Sequence, residues 1–238
     1  VTNDATMTTG YSERLVETLP RVRERIARAE LDADREAGVV RLIAVTKSHP
    51  FAAVRAALDA GLRDLGENRV EELDTKVAEF GRDGVTWHMI GHIQGRKTAK
   101  AAELSDLIHS IDSAKLAESV ARRASEMDVE CRVLLQVNTS GEASKSGLSV
   151  ESAVEDVVRL ADSPGLRVDG LMTMAPFVDD ERVLGNAFRR LREIREVAAG
   201  HSDNVGPELS MGMTNDLHIA IREGSTMVRI GTALFGPR

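Results

Sequence analysis

Beyond Gly38 the chain repeats one alternation: a short apolar run, then a longer stretch whose apolar positions recur every three or four residues. The short runs fall near 41–46 (RLIAVT), 62–65 (LRDL), 85–90 (VTWHMI), 107–111 (LIHSI), 132–138 (RVLLQVN), 166–172 (LRVDGLM), 207–211 (PELSM) and 227–230 (MVRI). Between them the spacing predicts helices near 51–60, 68–80, 95–104, 113–126, 149–162, 180–199 and 214–223. Asp112-Ser113 and Ser149 stand where helix caps belong, and Gly61 stands where a helix ends. Strict alternation of this kind implies a parallel sheet. Upstream, Leu15, Leu19, Val22, Ile26, Ala29 and Ala33 follow helical spacing and add an eighth helix, with Pro20 as a place to kink or restart it.

The count fits an α/β fold of the (β/α)8 TIM-barrel type with an additional N-terminal helix, and 238 residues lie near the ~250 usual for that barrel. A doubly wound open sheet is the competing topology. It favours a glycine-rich phosphate turn after its first strand, whereas Lys47-Ser48-His49-Pro50 follows here. The expected organisation is a flexible tail over residues 1–10 and a single domain over 11–238.

Composition narrows the class. The hydrophobic content of 42% suits a globular protein, and the net charge of −7 argues against nucleic acid or an anionic membrane as partner. The one cysteine, Cys131, excludes an intrachain disulfide and sits in an apolar run as a packed thiol. The polar N-terminus carries no apolar core of signal-peptide length, and no segment approaches the ~18 apolar residues of a membrane span. A soluble, cytoplasmic protein is expected.

In such a barrel the reactive groups gather at the C-terminal strand ends and the loops that follow. Those positions hold Lys47, Gly66-Glu67-Asn68-Arg69, Gly91-His92-Ile93-Gln94, Ser110, Asn138-Thr139-Ser140-Gly141-Glu142, Met172-Thr173-Met174, Ser210-Met211-Gly212-Met213-Thr214 and Gly231-Thr232. The opposite ends hold no comparable collection. Barrels bind phosphate with the loops after strands seven and eight. Ser210 to Thr214 offers a hydroxyl, a glycine that permits close backbone approach and a cap; Gly231-Thr232 offers amides and a second hydroxyl. Either alone is an ordinary turn, but both together at the two expected strands point to a phosphate site.

Lys47 ends the first strand, which in a closed barrel lies beside the eighth. An amine there either pairs with the phosphate as a point charge or forms an imine with an aldehyde that carries the phosphate. Position leaves both open. Arg229 interrupts an apolar strand, where burial without a partner is costly. It pairs with a carboxylate such as Glu67, donates to a ring nitrogen of a bound cofactor, or points outward to a helix. His88 reads equally as core or functional. His49, His109, His201 and His218 show no zinc spacing, and no metal is expected. Tyr11, the one tyrosine, is placed far from the mouth.

Seven ordered segments now carry a resemblance: Ala44–Lys47, Gly66–Val70, Trp87–Gln94, Asn138–Glu142, Gly170–Met172, Leu209–Met213 and Val228–Gly236. From about residue 10 onward the chain resembles the YggS/PROSC family of pyridoxal phosphate-binding proteins, the pyridoxal phosphate homeostasis proteins. The resemblance implies a fold-type III barrel like the N-terminal domain of alanine racemase, with pyridoxal 5'-phosphate (PLP, a vitamin B6 form) as cofactor. Lys47 would form the internal aldimine, a Schiff base. Ser210, Gly212, Gly231 and Thr232 would form the phosphate cradle, Met211 would be a further cofactor-binding residue, Arg229 would face the pyridine nitrogen, and Asn68 would lie beside the ring. Two departures stand out: Gly95-Arg96-Lys97 replaces a pattern with asparagine before the lysine, and Thr214 replaces a serine.

Two functions follow from that resemblance. One is a carrier that holds PLP reversibly and buffers or delivers it, PLP-dependent apo-enzymes being its partners. The other is an amino-acid racemase or related enzyme, which needs a base on each face of the cofactor. Alanine racemases take theirs from a tyrosine of a second domain across a dimer interface; the chain here stops after strand eight and Tyr11 is a poor substitute. The expectation is a monomeric carrier and not an enzyme.

Overall fold

Each short apolar run forms a strand, and the computed structural model, which describes residues 2–142 and 145–237, closes all eight into one parallel barrel. The strands are β1 (Arg41–Val45), β2 (Asp64–Glu67), β3 (Thr86–Met89), β4 (Leu107–Ile111), β5 (Cys131–Gln136), β6 (Leu166–Met172), β7 (Glu208–Ser210) and β8 (Met227–Ile230). The helices are α1 (Thr2–Asp32), α2 (Phe51–Asp59), α3 (Val70–Phe80), α4 (Thr98–Leu104), α5 (Ala114–Glu126), α6 (Ala153–Ala161), α7 (Glu181–Ala199), α8 (Leu217–Arg222) and α9 (Thr232–Phe235). Neighbours follow chain order and β8 returns to β1, so the barrel is the observed topology and the open sheet is not.

The helix expected at 149–162 begins only at Ala153, the one expected at 95–104 opens as a 3-10 turn before Thr98, and three further elements differ in ways that bear on the site. α1 runs through most of the stretch read as a tail; of that stretch Val1 lies outside the described residues. Pro20 neither breaks nor restarts α1, because it lies on the exposed face, where water can satisfy the carbonyl that its ring leaves unpaired. The buried stripe of Leu15, Leu19, Val22, Ile26 and Ala29 carries the helix past it, against α2, α8 and α9. β2 sits two residues later than the run at 62–65, which moves Gly66 and Glu67 from loop to strand. α9, only four residues long, is too short to leave a periodic signal.

Successive strand residues face opposite sides. One set (Ala44, Leu65, Trp87, Met89, Ile108, Val133, Leu135, Leu171, Val228) is buried in the layer between strands and helices. The other set (Ile43, Leu107, Leu134, Met172, Met227) forms a separate cluster inside the barrel. The interior positions of β2, β3, β4, β7 and β8 break this apolar rule with Asp64, His88, His109, Ser210 and Arg229.

β5 and β6 pair with a register shift between Val133 and Leu134, beside Gly170 of β6. Gly170 has φ of 151°, and a Cβ there would lie 1.9 Å from the Glu208 carbonyl oxygen of β7. Gly170→Ala is therefore expected to cost about 2 kcal/mol or more, because it overpacks against backbone. Urea unfolding checks this, and an unchanged midpoint would mean that β7 moves aside freely.

Candidate functional site

β1 ends in a turn held from several elements. Thr46 is buried, Lys47 half-buried, and Ser48 adopts φ of 61°, a left-handed conformation uncommon for a residue with a Cβ. The His49 amide donates to Thr46 O at 3.0 Å, and the Ser48 amide donates to Glu72 Oε2 of α3 at 2.8 Å. Lys76 Nζ, also of α3, donates to Thr46 O at 2.8 Å. On the other side the Tyr11 hydroxyl lies 3.1 Å from His49 Nδ1, and Phe235 of α9 packs against both rings. This corrects the expectation that Tyr11 lies far from the mouth: α1 folds back over the lysine turn. β1 pairs with β8, Ile43 opposite Arg229 and Ala44 opposite Ile230, so Lys47 emerges beside Gly231-Thr232.

The later position of β2 redirects Glu67. Its side chain points outward to α3, is fully buried, and meets Lys76 Nζ at 2.7 Å. Thr46 Oγ1 donates to the same carboxylate oxygen. Burial pushes the Glu67 pKa up, while the charge and hydrogen bond of Lys76 oppose the shift. The Arg229–Glu67 pairing weighed above is thus replaced by Lys76–Glu67.

Arg229 points into the barrel. Its Nη1 donates to Ser210 O at 2.8 Å and to Ser210 Oγ at 2.6 Å, and its Nη2 donates to Thr173 O at 3.0 Å. Two strand-end carbonyls and a hydroxyl therefore stand where a carboxylate was expected. An arginine has five N–H donors, so Nε–H and one Nη2–H are left for the mouth. Burial pulls the Arg229 pKa down to about 10, with the Asp216 carboxylate opposing, so the group stays charged at neutral pH.

The remaining site residues divide. Ser210 Oγ is fully buried in the interior, between Arg229 and His109 Nδ1 at 2.8 Å. The hydroxyls that remain in the loops after β7 and β8 belong to Thr214, half-buried, and Thr232, exposed. The Met211 side chain is buried in the helix–strand layer, its amide donates to Met227 O and its carbonyl accepts from Ser225 Oγ at 2.7 Å, so Met211 anchors the loop. Gly212 has φ of 96°, and a Cβ there would lie 2.7 Å from Ala220 Cβ, which seats the loop tightly on α8. Gly231 precedes α9, whose first amides have no partner within the helix. Asn68 is exposed just past β2 and leans on Gly91, where a Cβ would meet Asn68 O at 2.1 Å.

Lys47, Gly212, Arg229, Gly231 and Thr232 therefore share one end of the barrel on β1, β7 and β8, with Asn68 on the adjoining β2. Lys76 and Glu72 escaped the sequence reading, and His109 was weighed there only as a zinc ligand. For Lys76 a signal existed: it falls three residues after the buried Leu73, on the apolar stripe of α3.

The pair Lys76–Glu67 yields a prediction with a definite pH sign. A carboxylate whose folded pKa is raised favours folding most at low pH and loses that contribution as pH rises through the folded pKa. Lys76→Met removes the charge that opposes the upward shift of Glu67. It is expected to cost about 3–5 kcal/mol at neutral pH, less as pH falls towards the ordinary carboxylate range. Adding Glu67→Gln should recover most of the loss. Urea unfolding over a pH series checks both, and a deficit that grows on acidification would contradict the assignment.

Known proteins share this sequence pattern and fold. The alanine racemase N-terminal domain family matches residues 19–238. The pyridoxal phosphate homeostasis protein of Pseudomonas aeruginosa is 43% identical over 229 residues, 94% of this chain and 96% of its own. The crystal structure of a Bifidobacterium adolescentis protein of unknown role superposes with a TM-score of 0.89 at 38% identity, covering 95% of this chain and 96% of that one. PipY of Synechococcus elongatus, in its structure with PLP bound, superposes with a TM-score of 0.77 at 35% identity, covering 89% of this chain and 100% of that one. On this likeness, which spans nearly the whole chain, the protein belongs to the pyridoxal phosphate homeostasis proteins within the alanine racemase N-terminal domain family.

Proposed function

We propose that this protein holds pyridoxal 5'-phosphate covalently through Lys47 at the barrel mouth and takes part in its cytoplasmic homeostasis, buffering the cofactor or delivering it to apo-enzymes. The observation that carries this is the convergence of an amine, two glycine-bearing loops and a buried guanidinium on one end of the barrel. PLP supplies a reactive aldehyde and, in enzymes, an electron sink. The donor set suits such a molecule. Lys47 stands on a turn fixed by Glu72, Lys76 and His49, so its stem starts from one place. The Gly212 and Gly231 loops and the first amides of α9 present positive dipole to a phosphate, with the hydroxyls of Thr214 and Thr232 at hand. Arg229 keeps its protons at neutral pH and offers two more donors, which suits an unprotonated ring nitrogen. Asn68 borders the same mouth.

Holding is favoured over turnover. The one tyrosine has its hydroxyl on His49, on the α1 side of the lysine turn, so this chain supplies no tyrosine base across from Lys47. The relative from Pseudomonas aeruginosa is named for pyridoxal phosphate homeostasis, and PipY has been seen with PLP bound.

Borohydride reduction of the PLP-loaded protein is expected to leave a mass increment on the peptide that contains Lys47. Lys47→Ala is expected to lose both that increment and the yellow colour. A wild type without the adduct at saturating PLP would overturn the cofactor reading. Amino-acid α-proton exchange in deuterated water should run no faster than with free PLP, and a much faster, Lys47-dependent rate would make the protein an enzyme.

A further inference from the structure

A polar chain crosses the barrel interior below the site. Arg229 Nη1 donates to Ser210 Oγ at 2.6 Å, and Ser210 Oγ lies 2.8 Å from His109 Nδ1. His109 Nε2 lies 2.9 Å from His88 Nδ1, and His88 Nε2 lies 3.0 Å from Asp64 Oδ1. The five residues belong to β8, β7, β4, β3 and β2. Asp64 opens β2 and so lies at the end of the barrel away from the mouth, its side chain a quarter exposed, while His88, His109 and Ser210 are fully buried.

Proton bookkeeping allows these contacts one direction. Arginine has no acceptor, so Ser210 Oγ accepts from Arg229 and its own hydrogen must go to His109 Nδ1. His109 then carries its hydrogen on Nε2 and donates to His88 Nδ1, and His88 donates from Nε2 to Asp64. Every member is satisfied only in this order. With His109 turned into the Nδ1–H form, the Ser210 hydroxyl would meet two donors and its hydrogen would lose its acceptor here, a costly state in a buried place. Burial holds the His109 pKa well below the usual histidine range, with the charges of Arg229 and Arg41 adding to the shift. The neutral ring that this leaves, with one donor and one acceptor, is what the chain requires.

We infer that Asp64 is a positioning residue for Arg229: from the far end of the barrel its carboxylate sets the tautomers of His88 and His109, which turn a Ser210 lone pair towards the guanidinium and so fix the donors that Arg229 presents at the mouth. The effect on ligand rests on the PLP reading above; the tautomers do not. Arg41, paired with Glu208 at 3.3 Å, lies at the same end and adds positive charge there.

Two measurements test this. Nitrogen-15 NMR of the histidine rings at neutral pH, with no PLP added, is expected to show His88 and His109 both neutral with hydrogen on Nε2. A protonated His109, or one with hydrogen on Nδ1, overturns the inference. Asp64→Ala is then expected to mix the histidine tautomers and to weaken PLP binding about fivefold, the factor carried by one lost buried hydrogen bond. The borohydride adduct on Lys47 should persist at saturation. Asp64→Asn keeps an oxygen acceptor and should restore both tautomers and affinity, which a merely structural role would not require. Tautomers and affinity unchanged in Asp64→Ala overturn the inference while the cofactor reading stands. Loss of the Lys47 adduct in the wild type defeats the cofactor reading alone. Should Asp64→Ala not fold, the wild-type tautomers decide.

Discussion

A guanidinium buried inside a barrel needs close hydrogen-bond partners, because taking a charge out of water costs several kcal/mol that only such partners offset. Arg229 meets that demand with Thr173 O, Ser210 O and Ser210 Oγ, and its own amide donates to Gly212 O. One residue of β8 thereby draws in the ends of β6 and β7. The loops that would cradle a phosphate start from those ends, so their positions follow from how Arg229 is satisfied. It also recruits Ser210 into the interior and, behind it, His109 and His88, where the neighbouring interior positions are aliphatic.

The lysine turn solves a different problem. Lys47 is only half-buried and owes its place to the backbone beneath it. Three helices take part: α3 supplies Lys76 and Glu72, α1 supplies Tyr11, and α9 supplies Phe235. Ser48 keeps its left-handed conformation because its amide is held by Glu72 and the next amide returns to Thr46. The buried Lys76–Glu67 pair stands behind this turn, which gives an outward-facing ion pair influence over a group at the mouth without touching it. Preorganisation of this kind limits the rotamer freedom that a bound ligand would otherwise have to freeze.

The strand runs at 107–111, 166–172 and 227–230 carry the same limits in sequence and structure, because there the apolar run and the paired backbone end together. β2 does not, since its last residues, Gly66 and Glu67, have the composition of a loop. A strand that ends at a site ends in polar residues, and local composition reads them as loop. The same difficulty hid the role of Ser210, which looks like a mouth hydroxyl and is an interior one. Tyr11 was misplaced because nothing within α1 shows where its N-terminal half lands.

By itself the sequence determined the β/α alternation, the parallel barrel, the strand that delivers Lys47 and the two glycine-bearing loops near it. Those features depend on periods of two and of three to four residues, which neighbours in sequence record. Only the tertiary structure decided that Glu67 pairs with Lys76, that Arg229 rests on carbonyls, and that a directed chain runs from Arg229 to Asp64. Their partners lie 9 to 101 residues apart, and the packing of α3 on β2, the pairing of neighbouring strands and, for His109 and Ser210, the closed barrel bring them within hydrogen-bond reach.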